Sequence, residues 1–491
     1  MVKAHVSRDI PWTTALYIHG RRVRGEGEEI RVADPATEEI LATVGGATGG
    51  QIEEAIAAAR SAFESGYSRA PHERRRMLLA LADLMERDRD ELTRMVVSEV
   101  GTPVALCASL QVAEPIAVLR HFADLALVDR TRYLGPADGP PRSDAFIRYE
   151  PSGVVAAVTA YNYPLLFAAV KLGAALAAGC TVVLLPSFQA PLATLHLGQL
   201  CLEAGFPPGV VNVLAGDAAA ARALTSHPGI NKISFTGSAD VGRKIMAQAA
   251  PRLTRLVLEL GGKSPSILLP SADIEQITSA VHARYLRNSG QGCSAPTRIL
   301  VHRTRYPEFL ELTRSAVDAI TVGDPWDPAT VAGPLISAAH RARVEGHVGR
   351  ALDAGGRLVA GGGRPGMPRG WYMNPAVITD VPAQSEIART ELFGPVGLVF
   401  AYDTIEHAVV LANDSEYGLS ATVYGDVDEA RSIVPRLRVG TVMINGWVGR
   451  RDQSSGGFKA SGFGREAGED GVREFLETQF VAWPVQLGQR R

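Results

Sequence analysis

The alternation of short apolar runs with helix-length segments between residues 153 and 236 constrains the fold of this chain more than any other feature. Four runs have the length and composition of buried parallel strands, namely Gly153–Val158, Thr181–Leu185, Val210–Val213 and Ile233–Phe235. The segments between them, around 164–178, 191–204 and 217–226, have the length of helices. This alternation predicts a doubly wound parallel α/β sheet, which binds nucleotides at the carboxyl ends of its strands.

A second α/β pattern follows Gly261 and Gly262. It predicts strands at Pro265–Leu269 and Ile299–Val301, and helices at 272–287 and 305–320. Upstream, apolar residues at helical spacing predict two amphipathic helices, one around 52–62 and one around 78–95. The segment 135–147 is rich in Pro and Gly and is predicted to be extended, and Phe480–Trp483 is predicted to be an edge strand.

Composition narrows the class of protein. The chain has 491 residues, of which 46% are hydrophobic, so we expect two to four packed domains. Its net charge of -2 supplies no basic field for nucleic acid. The most apolar stretch, Val154–Leu185, is interrupted by Asn162, Pro164 and Lys171, so no membrane span is expected.

The cysteines point to a compartment. Cys107, Cys180, Cys201 and Cys293 are scattered and none lies at zinc-ligand spacing, so we expect neither a disulfide framework nor a metal site. No signal-peptide core is recognised near residue 1. A reducing, cytoplasmic location is therefore predicted.

Two motifs carry candidate reactive groups. Glu259 is the lone acid in the apolar run LELGGK at residues 258–263. It is either a strand-end acid that faces solvent or a desolvated carboxylate whose raised pKa suits a general base. Cys293 lies in the polar, Gly-rich run NSGQGCS at residues 288–294. Most free cysteines are small buried hydrophobes, but this context favours a nucleophilic thiolate.

Weaker motifs surround these two. Asn162 follows the first strand and is either a turn residue before Pro164 or a donor to an oxyanion. The run FTGSADVG at residues 235–242 lies between a strand and a helix and could bind pyrophosphate, although the chain lacks a true GxGxxG. The runs ELFGP at 391–395 and GGFKASGFGRE at 456–466 could each be a simple turn or connection.

Taken together and in this order, the motifs resemble those of the aldehyde dehydrogenase superfamily. The resemblance extends from Asp34 to Arg465, and LELGGK and GQxC are its specific motifs. Glu259 and Cys293 lie 34 residues apart, which is similar to the family spacing. The resemblance implies an α/β fold with a Rossmann-type cofactor domain, an α/β catalytic domain and a β oligomerisation arm.

The resemblance also implies roles for matching residues. Cys293 is expected to attack an aldehyde carbonyl, Asn162 and the Cys293 amide to hold the oxyanion, and Glu259 to activate water that hydrolyses the thioester. Lys171 matches a lysine near the family's active site. The implied cofactor residues are Gly237, Ser238, Gly242, Ser187, Leu260, Glu391 and Phe393.

One departure concerns the cofactor. After the strand Thr181–Leu185, relatives usually have Lys-Pro-Ser-Glu, whose Lys and Glu bind the adenosine ribose, whereas this chain has Leu185-Pro186-Ser187-Phe188. Hydrogen bonds to charged groups contribute about 1.5–3 kcal/mol each, so binding of NAD is expected to weaken. Loss of the acid also removes repulsion of a 2′-phosphate, so the cofactor is predicted as NAD or NADP.

The substrate side is also unusual. Arg287 stands six residues before Cys293, where it is similar to an arginine of succinic semialdehyde dehydrogenases. Arg450 and Tyr163 complete the predicted substrate residues. The hypothesis is an acidic or polar aldehyde such as a semialdehyde, and the alternative is that the arginines face solvent or pair with Asp452.

The leading function is therefore an NAD(P)-dependent aldehyde dehydrogenase that hydrolyses its thioester. The alternatives are a CoA-acylating dehydrogenase, which usually lacks the base at Glu259, and a non-catalytic protein on the same scaffold. The predicted domains are 1–129 with 150–258 for the cofactor, 259–450 for catalysis, and 130–149 with 475–491 for the arm. A small aldehyde is the expected partner, and strand exchange through the arm predicts a homodimer or homotetramer.

Overall fold

The computed structural model describes residues 12–137, 141–446 and 448–485, and two large sheets organise them. The strands, in chain order, are β1 (Leu16–Ile18), β2 (Arg21–Val23), β3 (Glu29–Ala33), β4 (Ile40–Gly45), β5 (Arg132–Tyr133), β6 (Ser143–Pro151), β7 (Val154–Val158), β8 (Thr181–Leu185), β9 (Val211–Val213), β10 (Lys232–Thr236), β11 (Arg255–Glu259), β12 (Pro265–Leu268), β13 (Arg298–His302), β14 (Arg357–Gly361), β15 (Ala376–Thr379), β16 (Val396–Tyr402), β17 (Tyr417–Gly418), β18 (Ser420–Tyr424), β19 (Thr441–Ile444), β20 (Phe458–Lys459), β21 (Gly462–Phe463) and β22 (Leu476–Pro484).

Helices cover both sheets. In chain order they are α1 (Gly49–Glu64), α2 (Pro71–Arg87), α3 (Arg89–Val100), α4 (Val104–Leu106), α5 (Glu114–Leu125), α6 (Pro164–Ala178), α7 (Leu192–Glu203), α8 (Ala218–Thr225), α9 (Ala239–Ala249), α10 (Ile274–Leu286), α11 (Tyr306–Asp318), α12 (Ala338–Asp353), α13 (Glu386–Arg389), α14 (Ile405–Asn413), α15 (Val427–Ile433) and α16 (Gly468–Arg473). The helix predicted around 78–95 is two helices, because the chain bends at Asp88 between α2 and α3.

The first sheet has the strand order β2-β1-β9-β8-β7-β10-β11-β21. Strands β7 to β11 are parallel, as the apolar runs predict. From β7 the chain adds β8 and β9 on one side, and then places β10 and β11 on the other. The strand order therefore reverses between β7 and β10, where a doubly wound sheet forms its ligand crevice.

The loops that follow these strands are held by helix ends. Pro164 starts α6, where its missing N–H leaves no donor unsatisfied, and Gly179 ends the helix with a φ of 96°. Most side chains of α6 are buried, because the helix lies between the sheet and α5. This packing places Asn162 at the crevice.

The second sheet has the order β14-β15-β16-β13-β12-β18-β19 and is parallel apart from β14. Its strands β12 and β13 and helices α10 and α11 confirm the predicted second α/β pattern. The chain then returns to the first sheet, where β21 pairs with β11, and Val472 and Phe475 enter the first core. This return was not predicted, since two-residue strands carry no periodicity.

A third, three-stranded sheet forms an arm. Strand β22 pairs with β6 over nine residues and β6 pairs with β5, so the tail strand is longer than the predicted Phe480–Trp483. Residues 138–140 and 486–491 of the predicted arm lie outside the described residues. Within the described ranges, no helix combines the length and apolar character needed to cross a bilayer.

Candidate active site

Two cavities meet beside Cys293. The larger, of about 460 Å³, opens at the carboxyl ends of β7, β8, β10 and β11. The smaller, of about 280 Å³, lies between α5, α6 and the segment 449–456. The side chains that line both cavities are those of Phe167, Thr236, Glu259 and Cys293. The structure therefore brings the predicted nucleophile and the predicted base together at the junction.

The loop before Cys293 has an unusual backbone. Asn288, Ser289 and Gly290 have φ values of 52°, 57° and 76°, which lie in the left-handed region that non-glycine residues rarely adopt. A Cβ at Gly290 would lie 2.1 Å from the Gly394 carbonyl oxygen, so glycine is required there. The loop turns the chain sharply out of α10 and leads it to the junction.

Gln291 holds this loop in place. Its Oε1 accepts hydrogen bonds from the Tyr161 hydroxyl at 3.1 Å and the Ile336 amide at 3.0 Å. Its Nε2 donates to the Asn288 carbonyl at 3.2 Å. No role was predicted for Gln291, because Tyr161 and Ile336 are distant from it in the chain.

The environment of Cys293 disfavours the thiolate. Burial and the carboxylates of Glu391 and Glu259 raise the pKa of the Cys293 thiol to about 12, although the Ser294 and Cys293 amides oppose the shift. Burial also raises the pKa of the other three thiols. What distinguishes Cys293 is access, since it lines both cavities while the other cysteines are at most 3% exposed.

Iodoacetamide is therefore expected to label Cys293 first, through access rather than through a low pKa. Since only the thiolate reacts, the labelling rate should keep rising by about tenfold per pH unit beyond the ordinary thiol pKa. Peptide mapping by mass spectrometry over a pH series measures this rate. A plateau near neutral pH, or faster labelling of Cys201, would contradict the expectation.

Glu259 ends β11 at the junction. Burial and the nearby Glu466 carboxylate raise the pKa of Glu259 well above its ordinary value, while Lys171 and Arg465 oppose the shift. Its Oε1 is buried and has no hydrogen-bond partner among the described residues. In its ionised form, a carboxylate in this environment accepts a proton more readily than an ordinary carboxylate.

Behind Glu259 lies a buried polar cluster. The fully buried Lys171 donates to Ser234 Oγ at 2.9 Å and to Glu466 Oε1, and Ser234 donates to the same carboxylate oxygen at 3.1 Å. Glu466 lines the smaller cavity, whereas Lys171 reaches the site through Glu466. No role was predicted for Glu466, which is 295 residues from Lys171 and adjacent to it only in the fold.

Asn162 lines the larger cavity beside Cys293. The side-chain Nδ2 of Asn162 donates to the Gln291 main-chain carbonyl at 2.8 Å. The main-chain carbonyl of Asn162 accepts from Asn288 Nδ2 at 3.0 Å and from Gln111 Nε2 at 3.2 Å. The amide group has two N–H donors, so one is already committed to positioning. The second is what a developing oxyanion could use.

The larger cavity fits a dinucleotide. Gly237 and Ser238 line it, and the Ser238 hydroxyl caps α9 by accepting from the Val241 amide. Thr159 Oγ1 and Thr236 Oγ1 also line it, and both are buried without a hydrogen-bond partner within the described part of the chain. Such atoms can bind the polar groups of a nucleotide.

Of three further predicted cofactor residues, two line the larger cavity and one packs against its wall. Ser187 and Leu260 line the larger cavity. Gly242 lies on α9 against Leu260, where an added Cβ would come within 2.8 Å of the leucine side chain. We conclude that Gly242 sets the distance between α9 and the cavity wall.

Glu391 and Phe393 form the wall opposite α9. Glu391 Oε1 accepts from the Gly262 amide at 2.9 Å, and burial raises the Glu391 pKa to about 7 against the effect of that bond. A Cβ at Gly261 would lie 2.2 Å from Glu391 Oε2, so a larger residue there would displace the Glu391 carboxylate. Phe393 has a φ of 59° and contacts the Tyr161 ring edge-on at 5.9 Å.

The predicted substrate residues do not converge. Tyr163 packs edge-on against Phe167 at 6.0 Å, and neither Tyr163 nor Arg287 is among the described residues that line the two cavities. Arg287 is close enough to lower the pKa of Arg284. Arg450 does line the smaller cavity, but it is 68% exposed and bonded to both Asp452 oxygens at 2.8 and 2.6 Å.

The smaller cavity has an apolar wall and a polar mouth. The wall is formed by Leu110, Val118, Phe122, Leu166, Phe167, Val170 and Leu419. At the mouth, Arg451 pairs with Glu114 at 3.7 Å beside the Arg450–Asp452 pair. Each of these arginines therefore already has a carboxylate partner.

A nucleotide-type cleft that ends on a cysteine, with an apolar chamber on the other side of the thiol, is the arrangement of an oxidoreductase that works by covalent catalysis. The sequence matches the aldehyde dehydrogenase family over residues 23–481. The chain belongs to that family.

Three relatives illustrate the similarity. Geranial dehydrogenase of Castellaniella defragrans is 41% identical over 462 residues, which cover 92% of this chain and 94% of that protein. Aldehyde dehydrogenase C of Pseudomonas syringae, solved as a mutant with NAD+ and octanal, is 38% identical with a TM-score of 0.91 and 96% of both chains covered. Betaine aldehyde dehydrogenase of Staphylococcus aureus, solved with NAD+, is 34% identical with a TM-score of 0.92, covering 96% of this chain and 95% of that one.

Proposed function

We propose that this protein is an NAD(P)-dependent aldehyde dehydrogenase that releases a carboxylic acid and prefers apolar aldehydes. The observation that carries the proposal is that Cys293 and Glu259 line both cavities. A thiol and a base at that junction can act on one carbonyl carbon that is reached from both sides. The presence of Glu259 favours hydrolysis over transfer to CoA.

In the proposed mechanism, the Cys293 thiol releases its proton to solvent water and Sγ bonds to the aldehyde carbon. The Asn162 N–H and the Cys293 amide hold the resulting oxyanion. A nicotinamide cofactor held in the larger cavity would supply the acceptor for the hydride that leaves the carbon, and the carbon would remain attached to Sγ as a thioester. Glu259 then takes a proton from water as the water oxygen attacks the thioester, the C–S bond breaks to release the carboxylic acid, and the Cys293 thiolate takes the proton back from Glu259. In this scheme the charges of Glu466 and Lys171 set the proton affinity of Glu259, in opposite directions.

The preference for apolar aldehydes rests on the smaller cavity. Its wall is aliphatic and aromatic, and Arg450 and Arg451 at its mouth are paired with Asp452 and Glu114. A carboxylate substrate would have to break one of these pairs in order to bind. The names of two relatives, a geranial dehydrogenase and an enzyme solved with octanal, support the same class.

A panel of aldehydes crossed with NAD+ and NADP+ tests the proposal through absorbance of the reduced cofactor. We expect kcat/KM for octanal to exceed that for succinic semialdehyde by about tenfold or more, because each buried methylene of the alkyl chain strengthens transition-state binding. Arg287→Ala should leave this ratio unchanged because Arg287 lines neither cavity. A preference for succinic semialdehyde that disappears in Arg287→Ala would instead establish an acidic substrate.

We also propose the domain boundaries, the oligomeric state and the cellular location. We assign the cofactor role to 1–129 with 150–258 and catalysis to 259–450, each centred on one large sheet. We also propose a homodimer or homotetramer assembled through the arm, because β22 and β19 are edge strands of their sheets. The four free cysteines support a reducing, cytoplasmic location.

A further inference from the structure

The end of the larger cavity that follows β8 and β9 is where the adenosine part of the cofactor would lie, away from Cys293. It is lined by Leu185, Pro186, Ser187, Phe188, Gln189, Gly216, Asp217 and Ala218. Leu185 is 2% exposed and Phe188 is 49% exposed, so an apolar platform replaces the Lys and Glu of relatives. A different residue must therefore bind the ribose hydroxyls if this end holds adenosine.

Asp217 is the carboxylate at this end. It is exposed and precedes α8, and its Oδ1 accepts hydrogen bonds from the Ala219 amide at 2.9 Å and the Ala220 amide at 3.0 Å. These two bonds orient the carboxylate and leave Oδ2 outside the helix cap. A carboxylate oxygen held in this way is a strong acceptor for a ribose diol.

The surrounding charges disfavour a phosphate group. A neighbouring cavity of about 400 Å³ shares Gly216 and Asp217 with the larger one, and Glu28 and Glu29 line it as well. No lysine or arginine is found among the described residues that line this neighbouring cavity. A 2′-phosphate at this end would therefore face Asp217, with Glu28 and Glu29 in the adjoining cavity and no lysine or arginine in the described lining of that adjoining cavity.

The one arginine in the described lining of the larger cavity is committed elsewhere. Arg343 donates to the Leu392 carbonyl at 2.6 Å and to the Glu391 carbonyl at 3.4 Å. Both carbonyls belong to the ELFGP segment beside the reactive end of the cavity. Arg343 is therefore not placed to neutralise a phosphate at Asp217.

From these contacts we infer that Asp217 binds the adenosine ribose diol and makes the protein select NAD+ over NADP+. The inference rests on the proposed function, since it assumes that the larger cavity holds the cofactor. It assigns to the N-terminus of α8 a selectivity that relatives place after β8. Phe188 then contributes an apolar surface for the adenine rather than a polar contact.

Calorimetric titration of the protein with NAD+ and with NADP+, without aldehyde, tests the inference. The wild type is expected to bind NAD+ more tightly. In Asp217→Asn, NAD+ binding should weaken by about tenfold or more, because a hydrogen bond to a charged group is lost, and the ratio of the two dissociation constants should move toward one. Asparagine caps helices as well as aspartate does, so α8 should remain intact. Asp217→Ser, which also retains a cap, provides a second charge-free variant.

Asp426→Asn is the matched control. Asp426 caps α15 in the same way, with its Oδ1 accepting from the Asp428 and Glu429 amides at 3.0 and 2.9 Å, and it lines neither the larger nor the neighbouring cavity. Both dissociation constants should stay at wild-type values in this variant. The control therefore separates the charge at the cavity from any general effect of removing an N-cap carboxylate.

Two results would overturn the inference. One is tighter binding of NADP+ by the wild type, and the other is an Asp217→Asn variant with an unchanged ratio of dissociation constants. If aldehyde oxidation is observed alongside either result, the inference fails while the proposed function stands. If neither nucleotide binds and no aldehyde is oxidised, the proposed function fails together with it.

Discussion

Cys293→Ala is expected to lower kcat for aldehyde oxidation by about 10⁴-fold or more, because removal of a covalent nucleophile leaves no route to the thioester. Binding of the nicotinamide cofactor should persist, since the larger cavity keeps its other walls. The substitution removes only Sγ from a side chain that lines two cavities, so folding should not suffer. Steady-state absorbance and calorimetry of the same preparation measure both quantities.

The control for this substitution is Cys201→Ala. Cys201 is buried in α7, and it is not among the described residues that line the two cavities of the site. Its replacement should lower thermal stability through the lost packing while leaving kcat near the wild-type value. Retention of more than a small fraction of activity in Cys293→Ala would show that another group carries the chemistry.

Glu259→Gln is expected to lower kcat by about 10²–10⁴-fold, because the glutamine amide cannot take a proton from water. Thioester formation requires Cys293 rather than Glu259 in the proposed mechanism, so the acyl group should accumulate on the protein. Intact-mass spectrometry after mixing with octanal and cofactor should show one acyl adduct, and peptide mapping should locate it at Cys293. The wild type should show little adduct under the same conditions.

Glu416→Gln serves as the comparison for this variant. Glu416 is an exposed carboxylate that pairs with Arg243, outside the described lining of both cavities. It should show wild-type turnover and no adduct. If Glu259→Gln turned over slowly without an adduct, Glu259 would be needed before the thioester forms, which would contradict its assignment as the hydrolytic base.

The sequence was sufficient to predict the parallel core of the first sheet. Strands β7, β8, β9 and β10 match the four apolar runs closely, because strands buried on both faces must be apolar along their whole length. The helices between them could also be predicted, from their spacing and from the Pro and Gly residues at their ends. The return of the chain to the first sheet at β21 could not be predicted, because two residues contribute no pattern and their pairing depends on a distant strand.

The same division applies to the site. Three candidate site residues stand in local motifs and could be proposed from the sequence alone, namely Glu259, Cys293 and Asn162. Glu466 could not be nominated, because it meets Lys171 across 295 residues of chain. Arg287 shows the opposite case, since its position in the sequence suggests a substrate contact while its side chain lies outside the described cavity linings.

The sequence by itself determined the family and the α/β class and predicted the candidate reactive groups, because these depend on residue type and on local spacing. Only the tertiary structure decided which charges are already paired and which groups share a cavity. Arg450 has the charge to bind an acidic substrate, yet its bonds to Asp452 are set by the folding of the loop. Asp217 carried no sequence signal, and its proposed role rests on its position in the lining of two neighbouring cavities.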